Sequence, residues 1–225
     1  MSASCVYKPV RGERPLWDFP DGTLAGREVS AYLVAEASGW KLVPPTVLRD
    51  GPFGPGMCQL WIETTDVDSL VDIVPRDKVP ATWRPVFEGT GTGGVPVAVA
   101  HADDDRLRRL AVLDIVLNNA DRKGGHLLLD SDDRLYGVDH GICFHHEDKL
   151  RTVLWGWADE PLPDEAVETL RRLRADLDGR LGEALHEHLT RREVGATVRR
   201  VDRLLRSGTY PRPGGGWPAV PWPPF

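Results

Sequence analysis

The sequence predicts an α+β fold with two lobes, a small β-rich N-terminal part and a larger, mainly helical C-terminal part. Short strand-like segments separated by Gly and Pro precede residue 64, whereas helical patterns dominate residues 103–206. The chain has 225 residues, 41% of them hydrophobic, which is enough for one good core or two small lobes sharing an interface. We therefore predict an N-terminal lobe over residues 1–64, a C-terminal lobe over 65–206 and a Pro/Gly/Trp-rich tail over 207–225.

The charge and the cysteine content argue against several classes of protein. A net charge of −6 disfavours nucleic-acid binding, which needs a basic surface, so we expect no nucleic-acid partner. The cysteines, Cys5, Cys58 and Cys143, are too widely spaced for a disulfide framework or a zinc cluster, which favours a reducing compartment. Since no apolar run approaches roughly 20 residues and no signal-peptide pattern opens the chain, we expect a cytoplasmic protein without an integral membrane segment.

The first elements are predicted to be a strand and a helix. Residues Cys5 to Val10 alternate as a short strand that carries Lys8. A helix from Thr23 to Gly39 is indicated by a capping residue, recurring apolar positions and a terminal glycine, and Glu28 lies near its start. A lone Lys in a strand is ordinarily exposed, and an acid at a helix start ordinarily interacts with the helix dipole.

The next segment is predicted to contain a hairpin, a hinge and a turn. Strands from Thr46 to Arg49 and from Met57 to Glu63 flank a Gly/Pro turn. Thr64 to Pro85 shows no clean period, and we predict a hinge segment with short helical pieces. The GTGTGG run at Gly89 to Gly94 matches G-x-G-x-x-G, but a strand pattern follows it, so we predict a flexible hairpin turn instead of a phosphate-binding helix.

Helices are predicted for most of the remaining chain. The stretch from Asp103 to Asn118 is apolar on most sides and should be a buried central helix. Further helices are expected at about 163–176 and 177–189, followed by one whose start is marked by the capping box of Thr190 and Glu193. We expect the Arg-rich faces of these helices to be solvated.

Two short strands and two acids follow the central helix. Leu127 to Leu129 and Leu135 to Val138 are predicted to pair through a polar turn. Asp121 precedes the first strand and Asp139 follows the second, so the two carboxylates should face each other across one hairpin. Phosphoryl transfer needs this arrangement, since one carboxylate accepts the proton of a hydroxyl and another holds a divalent metal.

The motifs DRKGGH and VDHG resemble the catalytic loop and the metal-binding strand end of kinases. The Asp-Arg start of the loop is closer to phosphatidylinositol 3-/4-kinases and HipA-type kinases than to ordinary protein kinases. With the opening YKPVRGERPLWDFPDG and the ending GGWPAVPWPPF, the chain resembles a bacterial family usually labelled phosphatidylinositol 3-/4-kinase-like. The resemblance implies a kinase-like bilobal fold. Its N-lobe should lack the glycine-loop strands, because only seven residues precede Lys8.

The resemblance also implies roles for residues of the loop and the strand end. Asp121 matches the catalytic Asp, and Lys123 matches the loop lysine. Two positions match metal ligands, His126 where the family usually has Asn, and Asp139 in place of the Asp of Asp-Phe-Gly.

The N-terminal elements would supply the nucleotide-binding residues of such a kinase. Lys8 matches the strand lysine that contacts the α- and β-phosphates, and Glu28 matches the helix acid that pairs with it, with Glu36 as the competitor. The implied cofactors are ATP and Mg or Mn. The implied partner is an unidentified hydroxyl acceptor, such as an inositol lipid or a protein.

Two other functions remain open at this point. A metal-dependent hydrolase would use histidines together with Asp121 and Asp139, and the candidates are His126, His140, His145 and His146. A nucleotide-binding pseudokinase or scaffold is favoured by the short segment before Lys8 and by the histidine at position 126. Imidazole suits Mn²⁺ better than the hard ion Mg²⁺.

Overall fold

The computed structural model describes residues 3–64, 70–216 and 218–225. Its strands are β1 (Cys5–Pro9), β2 (Thr46–Gly51), β3 (Gly54–Leu60), β4 (Val71–Pro75), β5 (Trp83–Thr90), β6 (Pro96–Ala102), β7 (Leu127–Leu129) and β8 (Leu135–Gly137). Its α-helices are α1 (Leu24–Ser38), α2 (Asp105–Leu117), α3 (Asp164–Leu177), α4 (Arg180–Leu185) and α5 (Arg191–Ser207). The described strands form two three-stranded antiparallel sheets and a two-stranded hairpin, which confirms the mixed helix and sheet content predicted for the chain.

The first sheet has the strand order β1-β3-β2 and carries Lys8. Antiparallel pairing of β1 with β3 sets Lys8 opposite Met57. The chain reverses between β2 and β3 at Gly54, whose φ of 95° glycine adopts without steric strain. The three strands predicted for this region are confirmed, with small shifts at their ends.

Helix α1 follows the prediction at both ends. The Thr23 hydroxyl accepts a hydrogen bond from the backbone of Gly26, and Gly39 ends the helix in the left-handed conformation. Apolar residues of α1, among them Val34, join the main core. The same helix also buries Glu28, at 2% exposure, so the packing of α1 brings an acid into the interior.

The second sheet corrects the predicted hinge. Its order is β4-β6-β5. Within the segment from Thr64 to Pro85, which was predicted to be a hinge with short helical pieces, β4 and the first residues of β5 are strands, and a 3-10 turn at Arg76–Lys78 is helical. Both β4 and β5 are edge strands that contain a proline and whose side chains are mostly exposed or half-buried, whereas β6 between them is mostly buried. Edge strands tolerate proline and need no apolar period, so the local pattern did not show them. Asp66 and Asp68 of the segment lie outside the described residues. The turn at Gly89 to Gly94 joins β5 to β6 and is confirmed.

Helix α2 lies in the main hydrophobic core, as predicted. Asp104 caps its start, and its apolar residues other than the partly buried Ile115 are almost fully buried. Helices α3 and α5 and the side chain of Trp157 belong to the same core. The predicted helix over residues 177–189 is shorter than expected, because α4 spans only Arg180–Leu185. A Cβ at Gly182 would lie 2.2 Å from the carbonyl of Leu177, so this close approach requires glycine.

Helix α5 begins with the predicted capping box of Thr190 and Glu193. The expectation that its arginines are solvated is wrong for Arg200, which is 3% exposed. Its Nε donates to the carbonyl of Val116 in the last turn of α2 at 3.0 Å. The last carbonyls of a helix lack partners within the helix, and this buried guanidinium supplies one.

The tail docks on its own chain. The carbonyl of Ala219 accepts hydrogen bonds from the backbone of Thr152 and from the indole of Trp155. The carbonyl of Pro224 accepts one from the backbone of Gly124 at 2.9 Å. Trp217 lies outside the described residues. Across the described ranges, no helix is both long and apolar enough to cross a bilayer.

Candidate active site

The loop that carries Asp121 starts directly after α2. Asn118 ends the helix in the left-handed conformation. Asn119 then donates from Nδ2 to Asp114 of α2 at 3.0 Å and accepts from the backbone N–H of Asp121 at 3.0 Å. Asp121 is therefore positioned through Asn119 by a buried acid of α2.

Arg122 joins this loop to the end of the β7-β8 hairpin. It forms a fully buried ion pair with Asp114, with hydrogen bonds of 2.8 and 3.0 Å. It also donates to the carbonyl of Val138 at 3.0 Å and to Nε2 of His140 at 2.7 Å. The arginine thus connects three separate segments around the candidate site.

Sequence reasoning missed Asp114 and Arg122, and it considered His140 only as a metal ligand of the alternative hydrolase. Charged side chains are ordinarily exposed, and no local pattern shows that an ion pair will be buried. One signal was present, because Asp114 is an acid within a helix that is otherwise apolar on most sides.

The structure brings Lys8, Glu28 and Asp139 together. Lys8 Nζ lies 3.0 Å from Glu28 Oε1 and 2.8 Å from Asp139 Oδ1. The other oxygen of Glu28 accepts from the backbone N–H of His140 at 2.9 Å. Of the two acids considered for the pairing, the exposed Glu36 is not the one that meets Lys8.

The pKa values of this group follow from burial and from the shared lysine. Burial acts to lower the pKa of Lys8, but Glu28 and Asp139 outweigh it and raise that pKa. Burial raises the pKa of Glu28, and Lys8 opposes the shift only in part. Burial also acts to raise the pKa of Asp139, but the hydrogen bond from Lys8 leaves it below the ordinary value. Asp139 is therefore a carboxylate at neutral pH.

Asp121 is a half-buried carboxylate with cations nearby. Its oxygens lie 3.8 Å from Lys123 Nζ and 3.9 Å from the guanidinium of Arg151. Burial raises the pKa of Asp121, while Lys123 and His126 act in the opposite direction. Asp121 remains close enough to Asp139 for that charge to contribute to the increase. The structure thus places Asp121 and Lys123 beside each other, near the Lys8 group.

His126 and Asp139 form a pair that a divalent ion would fit. His126 Nε2 lies 3.5 Å from Asp139 Oδ2, a separation compatible with two ligands of one ion at about 2.0–2.6 Å each. Burial lowers the pKa of His126, as does Arg122, which favours the neutral, ligating form. The other ring nitrogen, Nδ1, is buried and lacks a hydrogen-bond partner among the described residues. Two protein ligands would leave the other coordination positions for phosphate oxygens and water.

Helix α1 also forms a buried ion pair through Arg27. Arg27, next to Glu28, lies 2.6 Å from Glu193 of α5 and donates to the carbonyl of Cys143 at 2.8 Å. Both partners of the pair are almost completely buried. Helix α1 is therefore connected to α5 and to the segment after VDHG as well as to Lys8.

The described residues do not gather the histidines of the alternative hydrolase into one cluster. His140 is occupied by Arg122 through Nε2. His145 and His146 stack on each other, and with Glu147 they form a group of potential ligands that includes neither Asp121 nor Asp139. Within this group, Nδ1 of His145 already accepts the backbone N–H of Glu147. The hydrolase arrangement is not assembled in this structure.

Comparisons with known proteins agree with the geometry at the level of the fold. The chain is similar to the crystal structure of the golgi casein kinase, with a TM-score of 0.50 and 14% identity over 94% of this chain and 71% of that chain. Phosphatidylinositol 4-kinase gamma 4 of Arabidopsis thaliana is 30% identical over 205 residues, which cover 83% of this chain and 33% of the relative. The chain thus spans about a third of that plant protein. It has a kinase-like fold.

A nearer relative defines the family. Protein Rv2133c of Mycobacterium tuberculosis is 52% identical over 233 aligned residues, covering 100% of this chain and 84% of the relative. The chain belongs to the same family as Protein Rv2133c. No family model matches the chain.

Proposed function

We propose that this protein is an ATP-dependent phosphotransferase that moves the γ-phosphoryl group to a hydroxyl acceptor. The observation that carries the proposal is the meeting of Lys8, Glu28 and Asp139 from three distant parts of the sequence. A strand lysine paired with a helix acid, beside a strand-end Asp, is the arrangement that kinases use around the phosphates of ATP. We further propose that the N-terminal lobe ends at residue 64 and that Lys8, Glu28 and Asp139 lie at its junction with the C-terminal lobe.

Asp121 orients the acceptor hydroxyl in this proposal and accepts its proton. Burial raises the pKa of Asp121, which makes it a stronger base than an exposed carboxylate. Lys123 lies 3.8 Å from Asp121 and neutralises charge on the transferring group. Lys8 orients the remaining phosphates.

Asp139 and His126 would hold the divalent ion, which would neutralise charge on the phosphate oxygens. A set of one carboxylate and one imidazole suits Mn²⁺ better than Mg²⁺, because Mg²⁺ prefers oxygen ligands. We therefore propose activity with either ion and stronger binding of Mn²⁺.

Two classes of acceptor are suggested by the names of the similar proteins. The plant relative is named as a kinase of phosphatidylinositol, and the similar crystal structure is of a casein kinase. An inositol lipid and a protein hydroxyl are the acceptors to test first.

The test is incubation with γ-labelled ATP and Mg²⁺ or Mn²⁺, with phosphatidylinositol vesicles in one series and dephosphorylated casein in another. We expect label to appear in one of the two acceptors and to disappear with Asp121→Asn. Asp50→Asn, which removes an exposed carboxylate of β2, is the matched control and should retain the wild-type rate.

Nucleotide binding is measured on the same preparations. If ATP binds with metal but no label leaves it under any condition, the scaffold function replaces the proposed one. If ATP does not bind at all, both are excluded.

A further inference from the structure

A cavity of about 750 Å³ lies apart from the candidate active site. Its walls come from the segment 145–150, the C-terminal half of α5, the tail before residue 217 and the loop that precedes α1. None of the six residues assigned to phosphoryl transfer lines it. Ligand sites for small molecules commonly have volumes of about 300–1,000 Å³, so the cavity is large enough for one.

One wall of the cavity contains a buried cation without an acidic partner. The three hydrogen bonds of Arg200 go to neutral oxygens, the carbonyls of Val116 and His145 and the hydroxyl of Thr197, at 3.0, 3.2 and 2.8 Å. A guanidinium has five N–H groups, so two remain for another acceptor. Among the described residues, no carboxylate forms an ion pair with Arg200.

The other cations that line the cavity are neutralised within the chain. Each of the three pairs with its own carboxylate: Arg203 with Asp148, Lys149 with Asp18, and Arg212 with Asp159. Burial lowers the pKa of Arg200 to about 10, and the charge of Asp148 opposes that shift only in part. Glu147 also lines the cavity, but its carboxylate is largely exposed and lies 3.8 Å from His146. The excess of positive charge is therefore local to Arg200 in the buried wall.

The rest of the lining is largely apolar. Ile115, Leu150 and Leu204 contribute aliphatic surface, and two indole rings, Trp17 and Trp155, complete it. Trp17 is 85% exposed even though the adjoining residues are anchored, Asp18 by its ion pair with Lys149 and Phe19 by burial. The loop thus holds the indole of Trp17 at the cavity, with Lys149 Nζ 5.5 Å from its ring centroid, where a ligand could cover apolar surface that is now in water.

We propose that this cavity binds an amphiphile with a single anionic head. A carboxylate or phosphate group accepts the free N–H groups of Arg200, and an acyl or aromatic body packs against Trp17, Trp155 and the aliphatic residues. Both parts are needed, because the charge is buried in one wall and most of the surface is apolar. This site is independent of the proposed phosphoryl transfer.

The test is a titration of the full chain with oleate and with an 18-carbon lysophosphatidate below their micellar concentrations, followed by calorimetry and by tryptophan fluorescence. These two ligands distinguish a carboxylate head from a phosphate head. Monoolein, which has the same acyl chain and no charge, should bind at least tenfold more weakly. Inorganic phosphate, which has no apolar body, should show no saturable binding at millimolar concentration. Equal affinity for oleate, lysophosphatidate and monoolein, or no saturable binding of either anion, would overturn the proposal.

Matched variants locate the site. Arg200→Met should weaken binding of the anions at least tenfold, since hydrogen bonds to charged groups contribute about 1.5–3 kcal/mol. The matched change Arg199→Met, on the exposed side of α5, should leave binding of the anions unchanged. Trp17→Ala should weaken binding at least fivefold, whereas Trp222→Ala, an equally accessible indole outside the cavity, should have no effect.

Arg200 is also part of the packing between α5 and α2, so its variant must be shown to fold by circular dichroism. If it does not fold, Trp17→Ala and Ser207→Trp, which fills the cavity from its wall, still decide the question. Unchanged affinity in both of these folded variants would place the ligand elsewhere and contradict the assignment.

Discussion

Arg122 contacts α2, the strand end at Val138 and the ring of His140 through one side chain. The contacts with Asp114 and His140 are buried and the one with Val138 is partly buried, so the loop with Asp121 and the strand end with Asp139 take their relative positions from a side chain that touches neither carboxylate. At the residue scale, the geometry of the candidate site thus depends on a neighbour of Asp121 as much as on Asp121 itself.

We expect Arg122→Met to lower the free energy of unfolding by about 3–5 kcal/mol, because it leaves the carboxylate of Asp114 buried without its partner. Arg109→Met removes an exposed pair with Glu165 and should cost less than about 1 kcal/mol. Urea unfolding of the two variants measures the difference. Equal losses would mean that the buried pair has no special role in stability.

We expect Asp121 to act in turnover and Asp139 to act in the metal-dependent binding of ATP. Asp121→Asn should lower the turnover number by roughly a hundredfold or more, in the range of about 10² to 10⁴ for general-base effects, and leave ATP affinity nearly unchanged. Asp139→Asn should abolish metal-dependent ATP binding, since it removes the carboxylate beside His126. Single-turnover rates and metal titrations on the same preparations check both parts. If Asp121→Asn instead loses ATP affinity and keeps its rate at saturation, Asp121 is a metal ligand.

At the element scale, the sheet formed by β4, β6 and β5 is joined to the turn at Gly156 through His101 of β6. Its Nε2 accepts the backbone N–H of Gly156, and its Nδ1 contacts the carbonyl of Ala102. A Cβ at Gly156 would lie 2.5 Å from that ring, so the turn from Trp155 to Trp157 can approach the strand only with glycine at this position. The neutral ring with the proton on Nδ1 satisfies both contacts.

Because of His101, we expect the folded protein to lose stability in acid. Burial lowers its pKa from 6.5 to about 4, with Arg84 and Arg108 acting in the same direction and Ala102 and Asp103 opposing them. Because the folded pKa is the lower one, the contribution is fully present above pH 6.5 and is lost as the pH falls towards 4, by about 3 kcal/mol in total. Unfolding measured from pH 7 to 4 should show a flatter profile for His101→Gln than for the wild type. Parallel profiles would show that His101 is not the source.

The elements that the sequence predicted are those with local signals. Thr23 and Gly39 mark the ends of α1, and Thr190 with Glu193 marks the start of α5. Strands β4 and β5 were missed, because their pairing with β6 gives them their structure and hardly any of their own side chains are fully buried.

The candidate site was predictable only in part, for a related reason. Asp139 was indicated by its place after a short strand, but Lys8 and Glu28 were selected only through a family resemblance, because no periodicity links residues so far apart in the chain. The buried partners of Arg122 could not be found from the sequence, since burial of a charge depends on the whole packed structure.

At the scale of the whole molecule, the tail returns to the loop that carries Asp121. The ring of Phe225 occupies the space that a Cβ of Gly124 would need, at a separation of 2.1 Å, and the carbonyl of Pro224 accepts the N–H of Gly124. The tail thus packs against Gly124, the residue that follows Lys123 in the sequence.

Gly124→Ala should destabilise the protein by about 1–2 kcal/mol, because the added methyl group displaces the ring of Phe225. Gly125→Ala is the control, since a Cβ there meets no atom within 4 Å. The double variant Gly124→Ala, Phe225→Ala should be less destabilised than the sum of its single changes, which thermal unfolding can measure. Additive effects would show that the two positions do not compete for the same space.

The two ion pairs of α1, Arg27–Glu193 and Lys8–Glu28, have a consequence for how the proposed activity could be controlled. Kinase-like proteins can be switched off when the helix that carries the glutamate swings outward, but here Arg27 and Glu28 fasten that helix to α5, to Cys143, to Lys8 and to the backbone of His140. Detaching it would break the buried Arg27–Glu193 pair, at roughly 3 kcal/mol, and the half-exposed Lys8–Glu28 pair, at about 1 kcal/mol or less, so an outward state would be populated on the order of once in 10³ molecules. In the proposed function, the end of the site that holds the nucleotide is therefore preassembled. Any regulation of this protein should act on the arrival of the acceptor and not on the position of α1.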